Sequence, residues 1–292
     1  MAERKRILFV INPISGGRRK TAFNKQVLEV LDLEKFNPTF QQTNHPNHAY
    51  ELGLKAIQEG YDAVVAVGGD GTINELGSAL VGSGIPLGII PEGSGNGLAL
   101  YLGIPMNESA ALRRLNRFES VEVDSGIING RNFFNIAGIG FDASVSDRFA
   151  NENIRGPIGY LKSVINVLTN YKPCTYKLTI DGVPYEREAF MISVANSPQY
   201  GNNAYIAPQA SVNDGLLDVC IVHKFPLYTL PMMVFHLFNK SADQSEYVEI
   251  IPGKEIYIER EQDGAAHVDG EPFELGKKLD IKILPKSLRI IC

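Results

Sequence analysis

Short apolar runs alternate with helically spaced stretches along the first part of the chain. Residues 6–12 (RILFVIN), 37–43 (NPTFQQT), 61–67 and 85–90 read as strands. Between them, residues 21–31, 48–59, 73–80 and 97–102 place apolar side chains three and four apart, the spacing of a helix face. Near-continuous apolar strands separated by helices predict a parallel sheet covered on both faces. After about residue 124 the period falls to two, in FFNIAGIGF, YKLTIDGVPYEREAFMISVANS, GLLDVCIVHKF, EIYIER and KLDIKILPKSLRIIC. Asp181-Gly182 and Asp269-Gly270 predict tight hairpins between such runs. Two helices interrupt this half, at residues 157–171 and 226–239. The pattern predicts an α/β domain over residues 1–125 and an antiparallel β-sandwich over 126–292. A ligand is expected in the cleft between the domains, beyond the carboxyl ends of the parallel strands.

The length of 292 residues suits two domains with a core each. Apolar residues at 44% and charged residues at 21% are ordinary for a globular protein in water. A net charge of −5 argues against nucleic acid as partner. Arg4-Lys5-Arg6 and Arg18-Arg19-Lys20 are small basic clusters, solvated or in contact with phosphate or anionic lipid. Cys174, Cys220 and Cys292 match no metal spacing and suggest reduced thiols in a cytoplasm. The five histidines show no metal-ligand or relay spacing. No segment has the pattern of a signal peptide, and no apolar run reaches the ~18 residues of a membrane span. Lipid chemistry, if any, is expected from the membrane surface, at the inner face.

Three glycine-rich loops follow strands on one expected sheet edge: INPISGG at 11–17, GGDGT at 68–72 and PEGSGNG at 91–97. Amides at a helix N-terminus form an anion site, and glycine lets a phosphate approach. No G-x-x-x-x-G-K-[ST] loop occurs, and these loops lack the G-x-G-x-x-G fingerprint. Gly138-Ile-Gly140-Phe-Asp-Ala143 fits that pattern only permissively, in the β-rich half, where a bulge or turn is the better reading. Asp70, among the glycines, reads as a helix N-cap or as a ligand for a divalent cation between carboxylate and phosphate.

GGDGTINE, PEGSGNGLA, GIGFDA, NDGLLDV and VDGEP, in this order, resemble the diacylglycerol-kinase catalytic-domain family over essentially the whole chain. That family holds bacterial soluble lipid kinases with sphingosine and ceramide kinases; NAD kinases and phosphofructokinases are more distant. The resemblance implies ATP binding by Asn12, Ser15 and Gly16, by Thr43, by Gly68, Gly69, Asp70, Gly71, Thr72 and Asn74, and by Ser94. It implies Glu271 as catalytic base and a structural Mg²⁺ on the Asp214 side chain with the carbonyls of Ser211 and Leu216; Asp70, by its own charge beside the phosphate loop, is expected to order the Mg²⁺ at the ATP phosphates. One departure is visible. The third loop reads Gly93-Ser94-Gly95-Asn96-Gly97, without the aspartate frequent in bacterial diacylglycerol kinases, and is closer to the sphingosine and ceramide kinases.

The expected function is ATP- and Mg²⁺-dependent phosphorylation of a membrane-lipid hydroxyl. A kinase of a soluble hydroxyl such as NAD, and a nucleotide-binding regulatory module without turnover, are the alternatives. Asp124 stands at the domain junction as a water-mediated metal ligand or a turn residue. Asp142 is a cleft residue or a cap. For Asp214 an Asx-type turn is the structural alternative. Residues 226–238 (PLYTLPMMVFHLF) are either a buried core helix or a contact for membrane or acyl chains. Oligomeric state is open, a homodimer included.

Overall fold

The computed structural model describes residues 3–15, 22–141 and 173–292. The helix expected at 157–171, Asp142, Gly16 and the cluster Arg18-Arg19-Lys20 lie outside the described residues. Contacts divide the chain into a first unit, Met1–Asp124 with Pro285–Cys292, and a second, Ser125–Leu284. β5 (Ser120–Ile128), paired antiparallel with the short β6 (Arg131–Phe133), carries the chain out of the first unit, and β16 (Lys278–Ile291) brings it back.

In the first unit β1 (Lys5–Ile11), β2 (Phe36–Gln42), β3 (Ala63–Gly68) and β4 (Leu87–Pro91) lie in the order β2-β1-β3-β4. All three pairings are parallel. Every residue of β3, AVVAVG, is buried, as a strand covered on both faces requires. The covering elements include α1 (Phe23–Val30), α2 (His48–Gln58), α3 (Asp70–Leu80), α4 (Gly97–Tyr101) and α5 (Glu108–Leu115). α5 has no counterpart in the sequence reading. Asn107 starts it, its Oδ1 accepting the Ala110 N–H at 3.1 Å, and only Ala111, Leu112 and Leu115 form its buried stripe. The end of β16 closes the sheet, with Ile290 parallel to Leu87 of β4.

The second unit is a sandwich. One face is the antiparallel sheet β12-β11-β10-β7-β14-β15, from β7 (Ile136–Gly140), β10 (Met191–Ala195), β11 (Leu217–Val222), β12 (Val248–Gly253), β14 (Gly264–Val268) and β15 (Glu271–Leu275). The other has β8 (Cys174–Ile180), β9 (Val183–Ala189) and β13 (Glu255–Arg260) beside the first part of β16, all antiparallel. Ile139, Ile192, Val194, Val219 and Ile221 from the first sheet and Tyr176, Leu178, Ile256, Ile258 and Ile281 from the second share one core. Both expected hairpins are present: Ile180 pairs Val183 around Asp181-Gly182, and Val268 pairs Glu271 around Asp269-Gly270. Both turn residues have positive φ in each case, 48° and 82°, then 49° and 87°. That is the backbone a two-residue loop needs to match strand twist. α6 (Leu230–Phe238) follows a 3-10 turn, Leu227–Thr229. It is not a buried core helix: none of its residues is buried.

Candidate active site

Parallel strands deliver their following loops to one sheet edge, and short bonds lace those loops together. The Thr43 N–H donates to Ile11 O at 2.9 Å, Asn12 N–H to Val67 O at 2.9 Å, and Glu92 N–H to Gly68 O at 2.8 Å. Asn12 Nδ2 donates to Thr72 Oγ1 at 3.2 Å, while its Oδ1 accepts the Ile14 N–H. Ser15 Oγ lies 2.9 Å from Asn12 O and 3.3 Å from Glu92 Oε2. Folding thus gathers Asn12, Ser15, Thr43, Gly68–Thr72 and the loop of Ser94 on one edge. Ser94 is exposed there. Asn74 sits one turn into α3, its Oδ1 accepting from Ser78 Oγ at 3.4 Å.

Asp70 does not cap α3, one of its two sequence readings. The cap position belongs to Gly69 (φ −92°, ψ −169°), and Asp70 is the first helical residue. The helix begins immediately where β3 ends, so the Asp70 side chain reaches outward to the neighbouring loop. Its Oδ2 accepts the Asn96 N–H at 2.9 Å. Asn96 is buried and left-handed (φ 49°), and it closes its own loop: Oδ1 takes the Gly93 N–H at 2.9 Å and Nδ2 donates to Gly93 O at 2.7 Å. The two glycine loops touch. A Cβ on Gly93 would stand 2.7 Å from Gly69 Cα, and one on Gly69 3.0 Å from Gly93 Cα, closer than such atoms normally come. The bare backbone is therefore needed for loop against loop as well as for a ligand. The backbone amides at the N-terminus of this 11-residue helix are of the kind that receives an anion.

On the same edge, Glu75 of α3 caps α2, its carboxylate accepting the N–H groups of Asn47 and Ala49 at 2.9 Å each. Three histidine-cluster groups come together here despite their unremarkable sequence spacing. One ligand atom each of His45, His48 and Glu51 lies within 4.8 Å of the others. His48 and Glu51 are one helical turn apart, and Asn47 turns the chain with φ 65°. The set is a local network: the rings stack at 4.5 Å, and His48 Nδ1 takes the Asn44 N–H.

In the second unit, Asp269 anchors the turn that carries Glu271. Its Oδ1 accepts from Asn135 and Ile136 N–H at 2.9 and 3.1 Å, and its Oδ2 accepts from Phe134 N–H at 3.0 Å. Its own N–H donates to Ile136 O at 2.9 Å. Glu271, exposed, is the first residue of β15. Asp214 makes the Asx turn, its Oδ1 accepting the Leu216 N–H at 3.0 Å, while Ser211 Oγ donates to Asn213 Oδ1 at 2.8 Å. Burial, and then the Asp214 charge, push the carboxyl of nearby Asp218 up to about 6. Asp124 is in β5, not in a turn. It is buried, and its Oδ1 accepts the Lys286 N–H at 2.6 Å.

Asn96 and Glu92 tie the loops of the first unit together and Asp269 fixes the turn of the second; the sequence reading assigns no role to Asn96 or Glu92. The signal for Asn96 was present: an asparagine between glycines, a residue type that tolerates left-handed φ and bonds its own loop.

Residues 6–128 match the diacylglycerol kinase catalytic domain, and residues 135–292 match the YegS C-terminal NAD kinase β-sandwich-like domain. The "Probable lipid kinase YegS" of Escherichia fergusonii is 30% identical over 283 residues, 92% of each chain. The "Probable lipid kinase YegS-like" protein of Pseudomonas aeruginosa strain PAO1 is 31% identical over 241 residues, 81% of this chain and 78% of its own. A solved structure described as a diacylglycerol kinase from Bacillus anthracis shares the fold, with a TM-score of 0.75 at 20% identity over 100% of this chain and 98% of its own. With both halves matched in order and the glycine-loop edge in place, the chain belongs to the diacylglycerol-kinase catalytic-domain family, in its YegS-like form.

Proposed function

We propose that this protein is an ATP- and Mg²⁺-dependent lipid kinase, transferring the γ-phosphoryl group to a hydroxyl of a membrane lipid such as diacylglycerol or a sphingoid base. The observation that carries it is the Asp70–Asn96 clamp. In a member of a kinase family, two glycine loops are locked against each other with helix-start amides turned to the sheet edge where a nucleotide belongs. Asn12, Ser15, Thr43, Thr72, Asn74 and Ser94 are the polar groups for the nucleotide. Gly16 belongs with them by its place in the first loop.

Phosphoryl transfer asks the protein for alignment, charge neutralisation and a proton acceptor. The Gly68–Thr72 amides bind phosphate oxygens. Asp70 is the carboxylate for Mg²⁺ there, a hard oxygen donor beside phosphate. The Asp214 carboxylate with the Ser211 and Leu216 carbonyls is an all-oxygen set of the same kind. Asp218, its carboxyl pushed up by burial first and by the Asp214 charge second, adds a further acidic oxygen beside that set. Mg²⁺, when bound, neutralises phosphate charge. Glu271 takes the proton of the acceptor hydroxyl as its oxygen bonds the γ-phosphorus, and the bond from that phosphorus to the β,γ-bridging oxygen breaks to release ADP.

The test is phosphorylation with labelled ATP of vesicles carrying diacylglycerol, sphingoid base, ceramide or phosphatidylglycerol, with NAD as soluble control. Labelled lipid is expected. Labelled NAD alone would assign a soluble-substrate kinase, and no product with bound ATP a regulatory module. Glu271→Gln is expected to lower kcat by about 10²–10⁴-fold; near-wild-type turnover at saturating ATP would remove Glu271 from the base role.

A further inference from the structure

Large apolar side chains are exposed at many places, but they concentrate at one. Leu227 (55%), Tyr228 (82%), Met232 (57%), Val234 (43%), Phe235 (56%) and Phe238 (54%) all belong to α6 and the turn before it. The other side of the helix is fixed: Met233 and Leu237, four apart, pack with Phe225 and Tyr200 on the sheet cluster of Ile136, Cys220 and Val222. The helix is thus held on the sandwich by one stripe and presents phenylalanine and methionine outward on the opposite one. An apolar face of this kind marks an interaction site.

Charge identifies the occupant. From Val219 to Ala242 the chain has no Asp or Glu, although 33 of its 292 residues are acidic. Exposed Lys224 precedes the apolar segment and exposed Lys240 follows it, so the segment is cationic in a chain of net charge −5. The Lys240 ammonium is kept at the helix's C-terminal end over the Tyr205 ring, 4.6 Å from its centre. Asp243 and Glu246 come only on the following turn. Outward aromatic and thioether side chains between two lysines, with an exposed tyrosine at the rim, are the chemistry of a helix lying in a bilayer interface. There the apolar face enters the acyl boundary and the ammonium groups stay at anionic headgroups. Within the lipid-kinase reading above, on which this rests for its purpose, we infer that the outer face of α6 with its leading turn docks the protein on an anionic lipid bilayer.

Co-sedimentation of the full chain with phosphatidylglycerol-containing and with pure phosphatidylcholine vesicles, without nucleotide, tests the docking apart from any kinase activity. Wild type is expected to bind the anionic vesicles, and Phe235→Glu with Phe238→Glu to lower that partitioning at least tenfold. Lys224→Gln with Lys240→Gln should reduce the preference for anionic over neutral vesicles. Phe235→Leu, keeping an apolar contact, should bind like wild type. Both phenylalanines are more than half exposed, so an unchanged melting temperature is the folding control. A short-chain acceptor dissolved as monomers measures turnover separately; its loss in wild type would sink the kinase reading and leave the docking result standing. Equal vesicle binding by the double glutamate variant, or no binding by wild type, overturns the docking. So does a wild-type dimer in solution that this variant splits into monomers, since a second copy would then be the occupant.

Discussion

Asp70 has two duties that single substitutions can separate. Its Oδ2 holds the Asn96 N–H, and the same carboxylate is the one proposed beside Mg²⁺. Asp70→Asn keeps an amide oxygen able to accept that N–H but removes the charge. The variant is expected to melt within a degree or two of wild type while losing ATP turnover. Asp70→Ala removes both, and is expected to cost about 1–3 kcal/mol as well, the penalty for a polar group left unpaired. Calorimetry with a turnover assay reads both; full activity in Asp70→Asn would end the metal role. Gly93→Ala tests the loop contact. Its methyl would stand 2.7 Å from Gly69 Cα, against backbone rather than a side-chain tip that can move aside. The expected result is a loss of about 1–3 kcal/mol, typical of overpacking, with weakened ATP binding by equilibrium titration. The glycines of this stretch were legible as a phosphate loop from sequence. Their second use was not, because two loops far apart in sequence meet only through the sheet.

At the scale of elements, local pattern decided most of what could be read. β3 declares itself because all six residues are apolar or glycine and all are buried. The hairpins declare themselves because Asp-Gly suits positive φ twice in succession. α3 was expected to start at Ile73 and starts at Asp70, since glycines that look like loop supply the first helical amides. α6 departs from its usual reading for a subtler reason: an apolar helix normally implies burial, and here none of its residues is buried among the described residues. Side-chain pairing between β9 and β12 was not legible at all, and it gives the second unit carboxyls that respond to acid. Glu249 accepts from Arg187 Nε at 2.8 Å and Nη2 at 2.9 Å, and lies 3.3 Å from His223 Nε2. The Arg187 hydrogen bonds hold its carboxyl below the ordinary value, and the backbone N–H groups of Glu255 and Lys254 do the same for Asp181. Carboxyls depressed in the folded state contribute stability that is present above their unfolded values. That stability is lost as pH falls through the folded ones. Acid titration of the melting temperature should therefore show a steep fall below about pH 4.5, where unfolded carboxyls protonate. Glu249→Gln with Asp181→Asn should flatten that limb and leave an already lower plateau near neutrality. An acid limb as steep as wild type's would show that other carboxylates govern it.

For the whole molecule, the instructive feature is that the chain returns. The sequence divides into two textures at about residue 124, and nothing local reveals that Pro285–Cys292 groups with the first unit. A strand's partner is chosen by topology: Pro285 and left-handed Lys286 (φ 49°) interrupt the alternation of the last strand, but do not say which sheet the residues beyond them join. Those residues are firmly held. Leu288, Ile290 and Ile291 are buried, Gly82 N–H donates to Ser287 O at 2.8 Å, Cys292 N–H to Glu119 O at 3.1 Å, and Lys286 N–H to Asp124. Three buried aliphatic side chains at about 1.5–3 kcal/mol each are comparable with the ~5–15 kcal/mol that holds a typical domain folded. A chain ending at Leu284 should therefore lose its first unit. The second keeps its ladder from Glu255–Lys282 to Glu259–Lys278. Limited proteolysis of that shortened chain should degrade residues before Asp124 and spare a fragment beginning near Ser125, where the intact chain resists in both. Calorimetry should show the intact chain's heat of unfolding reduced to the second unit's share. Equal protease resistance before Asp124 in the two chains would mean that the first four parallel strands close their own core, and that the returning strand only decorates it.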